Sequence, residues 1–155
     1  MMYPMKNYQL LAFLLFSSQI LGQPFIGQRE ITNYEKKKYN AGTQNWQIQQ
    51  DKQGRMYFAN NEGVLSFDGN YWELYPLPNK TIVWSVEMAN NQLFVGGQDE
   101  MGFLSPDKSG QLSFHSLKSY LDESDQKFAD IWNIVNVGDD IFFRSISRLF
   151  KWNKG

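Results

Sequence analysis

The sequence predicts an all-β fold, an incomplete β-propeller of about three four-stranded antiparallel blades whose last blade is truncated. A tryptophan that opens a strand-like segment recurs at Trp46, Trp84 and Trp132, at spacings of 38 and 48 positions. These spacings are close to the roughly 40 to 50 residues of a propeller blade. Asp, Asn and Gly clusters separate the strand-like segments, as tight turns between antiparallel strands require.

The N-terminus has the layout of a secretory signal peptide, which we assign to residues 1–22. Lys6 precedes an apolar run from Leu10 to Phe16, and the run turns polar at Ser17. Such a run suits a signal peptide, whereas a bilayer span needs roughly 20 apolar residues. We therefore expect cleavage after Gly22 and a protein that is exported to the periplasm or the cell envelope.

The mature chain divides into a lead-in segment at 23–43 and three repeat units. Blade 1 is expected at 44–79, blade 2 at 80–117 and a partial blade 3 at 131–155. Residues 118–130 are an insertion, and the helical spacing of Leu117, Tyr120 and Leu121 leaves a short helix and a plain polar loop as alternatives. The run Lys36 to Lys38 is interpreted as a solvated stretch ahead of blade 1.

Turn residues give each unit its internal order. Asn90 and Asn91 tolerate positive φ in a tight connection, and Gly63 and Gly102 are both expected at turns. Pro76 ends the first blade, because proline cannot donate to a β-ladder. Propellers close with roughly four to eight blades, so we expect this chain to be the N-terminal piece of a longer one, with the remaining blades and downstream domains as its partners.

The first unit carries a resemblance to a known family. The matching positions are Ile48, Asp51, Gly54, Tyr57, Gly63, Val64, Leu65, Phe67, Asp68 and Gly69. These residues resemble the propeller repeats of bacterial two-component regulators, and 33–46 looks like the opening of exported sensors with triple-tyrosine domains. The resemblance implies a periplasmic propeller array followed by an immunoglobulin-like domain, a membrane helix and a kinase or helix-turn-helix output. The later units depart from the pattern at Ala89 to Asn91 and at Arg148.

Composition excludes several function classes. The chain has no cysteine, so disulfides, thiolate nucleophiles and Cys-ligated metals are excluded. The formal net charge is −1, and acidic and basic residues are interspersed, so the chain has no large positive field that would attract nucleic acid. We expect this segment to contact no nucleic acid. His115 is the only histidine and lies in an alternating strand pattern without a carboxylate or nucleophile at motif spacing. We expect no catalytic residues, no metal and no cofactor.

One loop is a candidate ligand site. Gln98, Asp99 and Glu100 stand in an acidic, glycine-flanked stretch between two strands. Carboxylate and amide oxygens there can hold a cation or a hydroxylated ligand, although a plain inter-strand loop explains the same residues. The repeated tryptophans can stack sugars, but their equivalent positions favour packing. The sequence thus favours a non-catalytic, ligand-sensing propeller segment of a transmembrane regulator that takes a small molecule or glycan; the alternative is a fragment of a secreted carbohydrate-binding or carbohydrate-active propeller protein.

Overall fold

A computed structural model describes residues 30–153 of the chain. The signal peptide expected at 1–22, with its cleavage site, lies outside the described residues. The chain divides into two units between Asn33 and Tyr34, and the description below concerns the unit that begins at Tyr34. No helix within 30–153 has the length and apolar character needed to cross a bilayer.

Eleven strands form three separate antiparallel sheets in chain order. Blade 1 contains β1 (Asn45–Gln50), β2 (Met56–Asn60), β3 (Gly63–Phe67) and β4 (Trp72–Tyr75). Blade 2 contains β5 (Val83–Ala89), β6 (Gln92–Gly97), β7 (Glu100–Pro106) and β8 (Leu112–Ser116). Blade 3 contains β9 (Asn133–Val137), β10 (Asp140–Arg144) and β11 (Leu149–Asn153). The predicted all-β class, an incomplete propeller, is confirmed.

The sheets stack face to face through two apolar clusters, because each sheet has an apolar side that it cannot bury alone. The cluster between blades 1 and 2 consists of Tyr57, Ala59, Val64, Tyr75, Leu77, Val83, Val86, Leu93, Val95 and Leu104. The cluster between blades 2 and 3 consists of Ala89, Phe94, Met101, Leu117, Phe128, Ile131, Ile134, Ile141 and Phe143. Complete burial of a side chain such as Phe143, which is 0% exposed, contributes about 1.5–3 kcal/mol.

The part of the lead-in from Tyr34 onward packs on the side of blade 1 that faces away from blade 2. A single helical turn, α1 (Lys36–Tyr39), ends at Asn40, whose φ of 45° is left-handed. The Tyr34 ring packs edge-on against Phe67 and Trp72, with centroids 5.2 and 5.3 Å away, and the Tyr39 ring lies 5.6 Å from Trp72. Blade 1 therefore buries one face against blade 2, and its own lead-in covers part of the other face, where Ile48 remains 53% exposed.

Buried Asn60 fixes where the lead-in joins the sheet. Its side-chain Nδ2 donates to the carbonyl oxygens of Gly42 (2.7 Å) and Gln44 (3.1 Å) and to Asn45 Oδ1 (2.8 Å). Its own Oδ1 accepts from the Glu62 amide at 3.0 Å. Both polar atoms of this 0% exposed side chain are thus hydrogen-bonded.

The insertion contains two one-turn 3₁₀ helices, Lys118–Tyr120 and Glu123–Asp125, and is otherwise irregular. The expectation that Gly102 stands at a turn is wrong, because the residue lies inside β7. Its backbone faces β8, and a Cβ at that position would collide with the carbonyl oxygen of His115. The turn that Gly102 was expected to make is made by Gln98 and Asp99, with Asp99 at a φ of 51°.

Candidate functional site

One end of the sheets gathers the β2–β3 and β6–β7 turns together with the segments that connect successive blades. Antiparallel order places these features together, since each blade begins, turns after its second strand and ends at the same end. The predicted site residues Gln98, Asp99 and Glu100 lie here, in the β6–β7 turn and at the start of β7. We call this end the connection face.

Gln98 is the candidate residue whose side chain is open to solvent. Its backbone is held on both sides: the amide donates to the Ile82 carbonyl (3.0 Å), and its carbonyl accepts from Asn79 Nδ2 (2.9 Å) and Thr81 Oγ1 (3.1 Å). It also forms an isolated antiparallel bridge with Asp130. A rigid backbone with a free side-chain amide is a suitable presentation for a polar ligand.

Asp99 ties the turn to the insertion. Lys118 Nζ donates to its carbonyl oxygen at 2.8 Å and to its Oδ2 at 2.9 Å, and the same ammonium lies 5.6 Å from the centre of the Phe128 ring. The Asp99 amide donates to the Ala129 carbonyl at 2.8 Å. The Asp99 side chain is 45% exposed, and its Oδ1 accepts a long hydrogen bond from the Phe128 amide at 3.4 Å, so the carboxylate is only partly open to water.

Glu100 points into the blade. It is 7% exposed, and its Oε1 accepts from Ser116 Oγ at 2.6 Å and from the Met101 amide at 3.1 Å. The carboxylate therefore links β7 to the end of β8. The structure thus brings the three predicted residues into one turn, but the two carboxylates bind the protein itself and only Gln98 projects freely.

The rings of the three repeated tryptophans follow one another in a row of tilted contacts, with interplanar angles of 60° and 35°, which we call the tryptophan stack. The rings of Trp46 and Trp84 lie 4.7 Å apart, as do the rings of Trp84 and Trp132. Trp84 Nε1 donates to Asp130 Oδ1 at 2.9 Å, across the junction between blades 2 and 3. Trp46, at the open end of the stack, is 47% exposed and donates from Nε1 to Asn61 Oδ1 at 2.8 Å.

Polar side chains also join the first strands of neighbouring blades. Gln47 Oε1 accepts from the Val86 amide at 3.1 Å, and Gln49 Nε2 donates to Glu87 Oε2 at 3.0 Å. Ser85 Oγ donates to the Ile131 carbonyl at 2.9 Å. Burial raises the pKa of Glu87, because the carboxylate loses water that one amide donor does not replace.

A cleft of about 290 Å³ opens between blades 1 and 2 at the opposite end. Its floor contains Leu93, Leu104 and Leu112, and its rim contains Asp51 and Asn90. Tyr57 lines the wall and donates to Asp51 Oδ2 at 3.2 Å; burial, aided by this carboxylate, raises the pKa of Tyr57 to about 12. No local pattern indicated this cleft, because it forms only where two blades pack against each other.

His115 lies on β8 and packs within blade 2. Its ring stacks on Phe103 with centroids 5.3 Å apart, and its Nε2 lies 3.2 Å from Ser113 Oγ. No group of three His, Asp or Glu side chains suited to a metal ion occurs in the described part of the chain.

Three successive antiparallel sheets that pack through apolar clusters define an all-β fold with an incomplete propeller-like arrangement. Among solved structures, the chain is similar to one described as "the extracellular domain of the putative one component system BT4673 from B. thetaiotaomicron". The TM-score is 0.54 at 18% sequence identity, over 74% of this chain and 15% of that one. At this identity the likeness concerns the fold. No family model and no curated protein matches the chain.

Sequence reasoning missed several residues that shape the connection face. Lys118 and Asp130 carried no local signal, because their partners Asp99 and Trp84 lie 19 and 46 positions away. Asn60 belonged to a predicted strand, and nothing in that pattern indicated that its side chain anchors the lead-in. The recurrence of the tryptophans was the signal that led to the stack, and the interpretation of these residues as packing agrees with their ring contacts.

Proposed function

We propose that this chain is the ligand-sensing part of a transmembrane regulator, exported to the periplasm or cell surface, and that it acts by binding and not by catalysis. The observation that carries the proposal is the fold likeness to the extracellular domain from B. thetaiotaomicron. The propeller-repeat resemblance of blade 1 points to the same class. The chain spans only 15% of that domain's length, so the remaining blades, the membrane helix and the output domain belong to the proposal.

The proposed ligand is a small hydroxylated molecule or glycan bound at the connection face. The free amide of Gln98 and the partly open carboxylate of Asp99 offer hydrogen bonds, while the half-exposed Trp46 offers an aromatic surface on the same face. Sugar recognition commonly combines an aromatic platform with amide and carboxylate partners. Asp99 and Glu100 contribute mainly by holding the turn in place.

Titration calorimetry of the full-length regulator's exported region with a panel of defined oligosaccharides tests the proposal. We expect at least one member to bind, and Gln98→Ala to weaken it about tenfold, as the loss of a hydrogen bond worth about 1.4 kcal/mol would. Gln53→Ala, in an exposed turn at the opposite end, is the matched control and should leave binding unchanged. Cleavage of a panel member would favour the alternative of a carbohydrate-active protein, and no binding by any member would contradict the glycan proposal.

A further inference from the structure

The cleft between blades 1 and 2 is enlarged by a local difference in sequence. Its buried floor residue Leu104 lies opposite Leu93 in the β6–β7 ladder. At the same place in blade 3, opposite Ile141 in the β10–β11 ladder, the chain carries Trp152. Trp152 lines the corresponding cavity between blades 2 and 3, which measures about 180 Å³, compared with about 290 Å³ between blades 1 and 2. Leucine in place of tryptophan therefore leaves additional room at the first junction.

The floor of this cleft is aliphatic and partly open to solvent. Met88 and Leu112 pack against the core cluster of blades 1 and 2 but are only partly buried. Pro106, which also lines the cleft, is exposed. Beneath them lie the buried side chains of Leu93 and Leu104. Because burial of apolar surface is favourable in proportion to its area, the cleft favours a ligand with a hydrocarbon body.

Asp51 is the acidic residue of the cleft, and its carboxylate is occupied by hydrogen bonds within blade 1. Its Oδ1 accepts from the backbone amides of Gln53 and Arg55, both at 2.9 Å, and its Oδ2 accepts from the Tyr57 hydroxyl at 3.2 Å. These three donors stabilise the negative charge. The Tyr57 phenol stays neutral at physiological pH, because burial raises its pKa to about 12. The wall of the cleft therefore offers little attraction to a cationic ligand.

The rim of the cleft, in contrast, carries positive charge and amide groups. The three ion pairs formed among residues 30–153 do not involve Lys52, which lines the cleft and is exposed. The positive charge of Arg55 is near enough to oppose part of the rise in the pKa of Tyr57. Asn90 and Asn91 stand exposed at the rim, in the two-residue turn between β5 and β6. This combination is complementary to an anion.

We propose that this cleft is a second binding site, which takes a small aliphatic carboxylate. The hydrocarbon chain lies on Leu93, Leu104 and Leu112. The carboxylate meets the Lys52 ammonium and the Asn90 side-chain amide at the rim. A volume of about 290 Å³ is at the small end of ligand cavities, which commonly measure about 300–1,000 Å³, so the chain of the ligand is short. The site lies at the opposite end of the sheets from the connection face and is additional to the glycan site proposed above.

Titration of the 155-residue chain with hexanoate, followed by backbone amide shifts in ¹H–¹⁵N spectra, tests the proposal. We expect saturable shifts at cleft residues such as Leu93 and Asn91. Hexylammonium has the same hydrocarbon body and the opposite charge, so it separates apolar binding from recognition of the carboxylate. We expect it to bind at least about fivefold more weakly than hexanoate, because it meets the Lys52 ammonium instead of a partner.

Two substitutions locate the site. Lys52→Gln removes the rim charge and should weaken hexanoate binding about fivefold. Its matched control is Lys108→Gln, in the exposed β7–β8 turn outside the cleft lining, which should leave binding unchanged. Leu104→Trp introduces the side chain that blade 3 carries at this place and should abolish hexanoate binding. Because Lys52 lies in an exposed turn, its variant keeps the test decisive if Leu104→Trp fails to fold.

Four results would overturn the proposal. They are the absence of saturable shifts with hexanoate, equal affinities for hexanoate and hexylammonium, equal effects of the Lys52 and Lys108 changes, and unchanged binding by a folded Leu104→Trp variant. Glycan binding is measured separately and depends on the connection face, so each of these results would remove the carboxylate site and leave the sensing role standing.

Discussion

Glu87 is the acidic side chain on the first strand of blade 2, and it links that strand to Gln49 of blade 1. Burial raises its pKa above the usual value of 4.5, so ionisation of this carboxyl opposes folding. The contribution of the protonated Glu87 carboxyl to folding stability is fully present below the ordinary pKa of Glu. It is lost as the pH rises through the raised pKa of the folded protein.

Replacing Glu87 with Gln keeps a neutral hydrogen-bonding side chain at all pH values. We expect Glu87→Gln to melt at a higher temperature than the parent at pH 7, and the difference to vanish near pH 4. Thermal melts followed by circular dichroism across this range measure the difference. The aspartates with lowered pKa values, Asp68, Asp107 and Asp140, titrate in both proteins, so their effects on the two melting temperatures cancel. A constant difference at every pH would contradict the assignment to Glu87.

Lys118 holds the connection face together through Asp99, and both groups are partly exposed. Exposed ion pairs contribute little, but this ammonium also bonds to a backbone carbonyl. We expect Lys118→Met to lower the free energy of unfolding by about 1 kcal/mol. Lys108→Met, in an exposed turn, is the control and should change it by less than about 0.5 kcal/mol. Equal effects of the two changes in urea titrations would rule out an anchoring role for Lys118.

At the scale of elements, the lead-in segment behaves as a cover for blade 1. Phe67 and Trp72 stack with centroids 4.3 Å apart, and Tyr34 closes over both rings. Without it, these aromatic side chains would lie on an open sheet face, a position that promotes association.

Tyr34→Ala should therefore destabilise the protein by about 1–2 kcal/mol, through two lost aromatic contacts and the re-exposure of blade 1. Tyr71→Ala removes the same side chain from a site that is 77% exposed and should change stability by less than about 0.5 kcal/mol. Urea denaturation of both variants gives the comparison. A Tyr34→Ala variant as stable as Tyr71→Ala would contradict the covering role.

The repeated tryptophans and turn residues predicted the strands and blades, because a repeat can be recognised from short stretches of sequence. The tryptophan spacing and the turn at Asn90 and Asn91 indicated the blades. Contacts between distant positions were beyond sequence reasoning, as the Tyr34 cover and the Asp99 to Lys118 pair show. Gly102 was predicted at a turn, like Gly63, from its residue type alone. The structure shows that a glycine is needed there because β8 passes close to its backbone.

At the scale of the whole molecule, the tryptophan stack runs through all three blades. Trp84 contacts a ring on each side, whereas Trp46 contacts one ring and is 47% exposed. The Trp84 ring therefore contributes to the contacts between blades 1 and 2 and between blades 2 and 3, whereas the Trp46 ring contributes only to the first.

We expect Trp84→Ala to cost about 3 kcal/mol, the lower end of the usual range for truncating a core aromatic side chain, because Trp84 is only partly buried, and Trp46→Ala to cost less than half as much. Chemical denaturation of the two variants measures both values. Because Trp84 spans both junctions, its loss should also broaden the transition as the blades uncouple. Equal costs for the two truncations would argue against a continuous stack.

The stacking of successive blades is tested most directly by nuclear Overhauser effects between the indole rings. Ring centres 4.7 Å apart should give cross-peaks from Trp84 to both Trp46 and Trp132, and none between Trp46 and Trp132. A folded, β-rich protein without the two Trp84 cross-peaks would contradict the propeller arrangement.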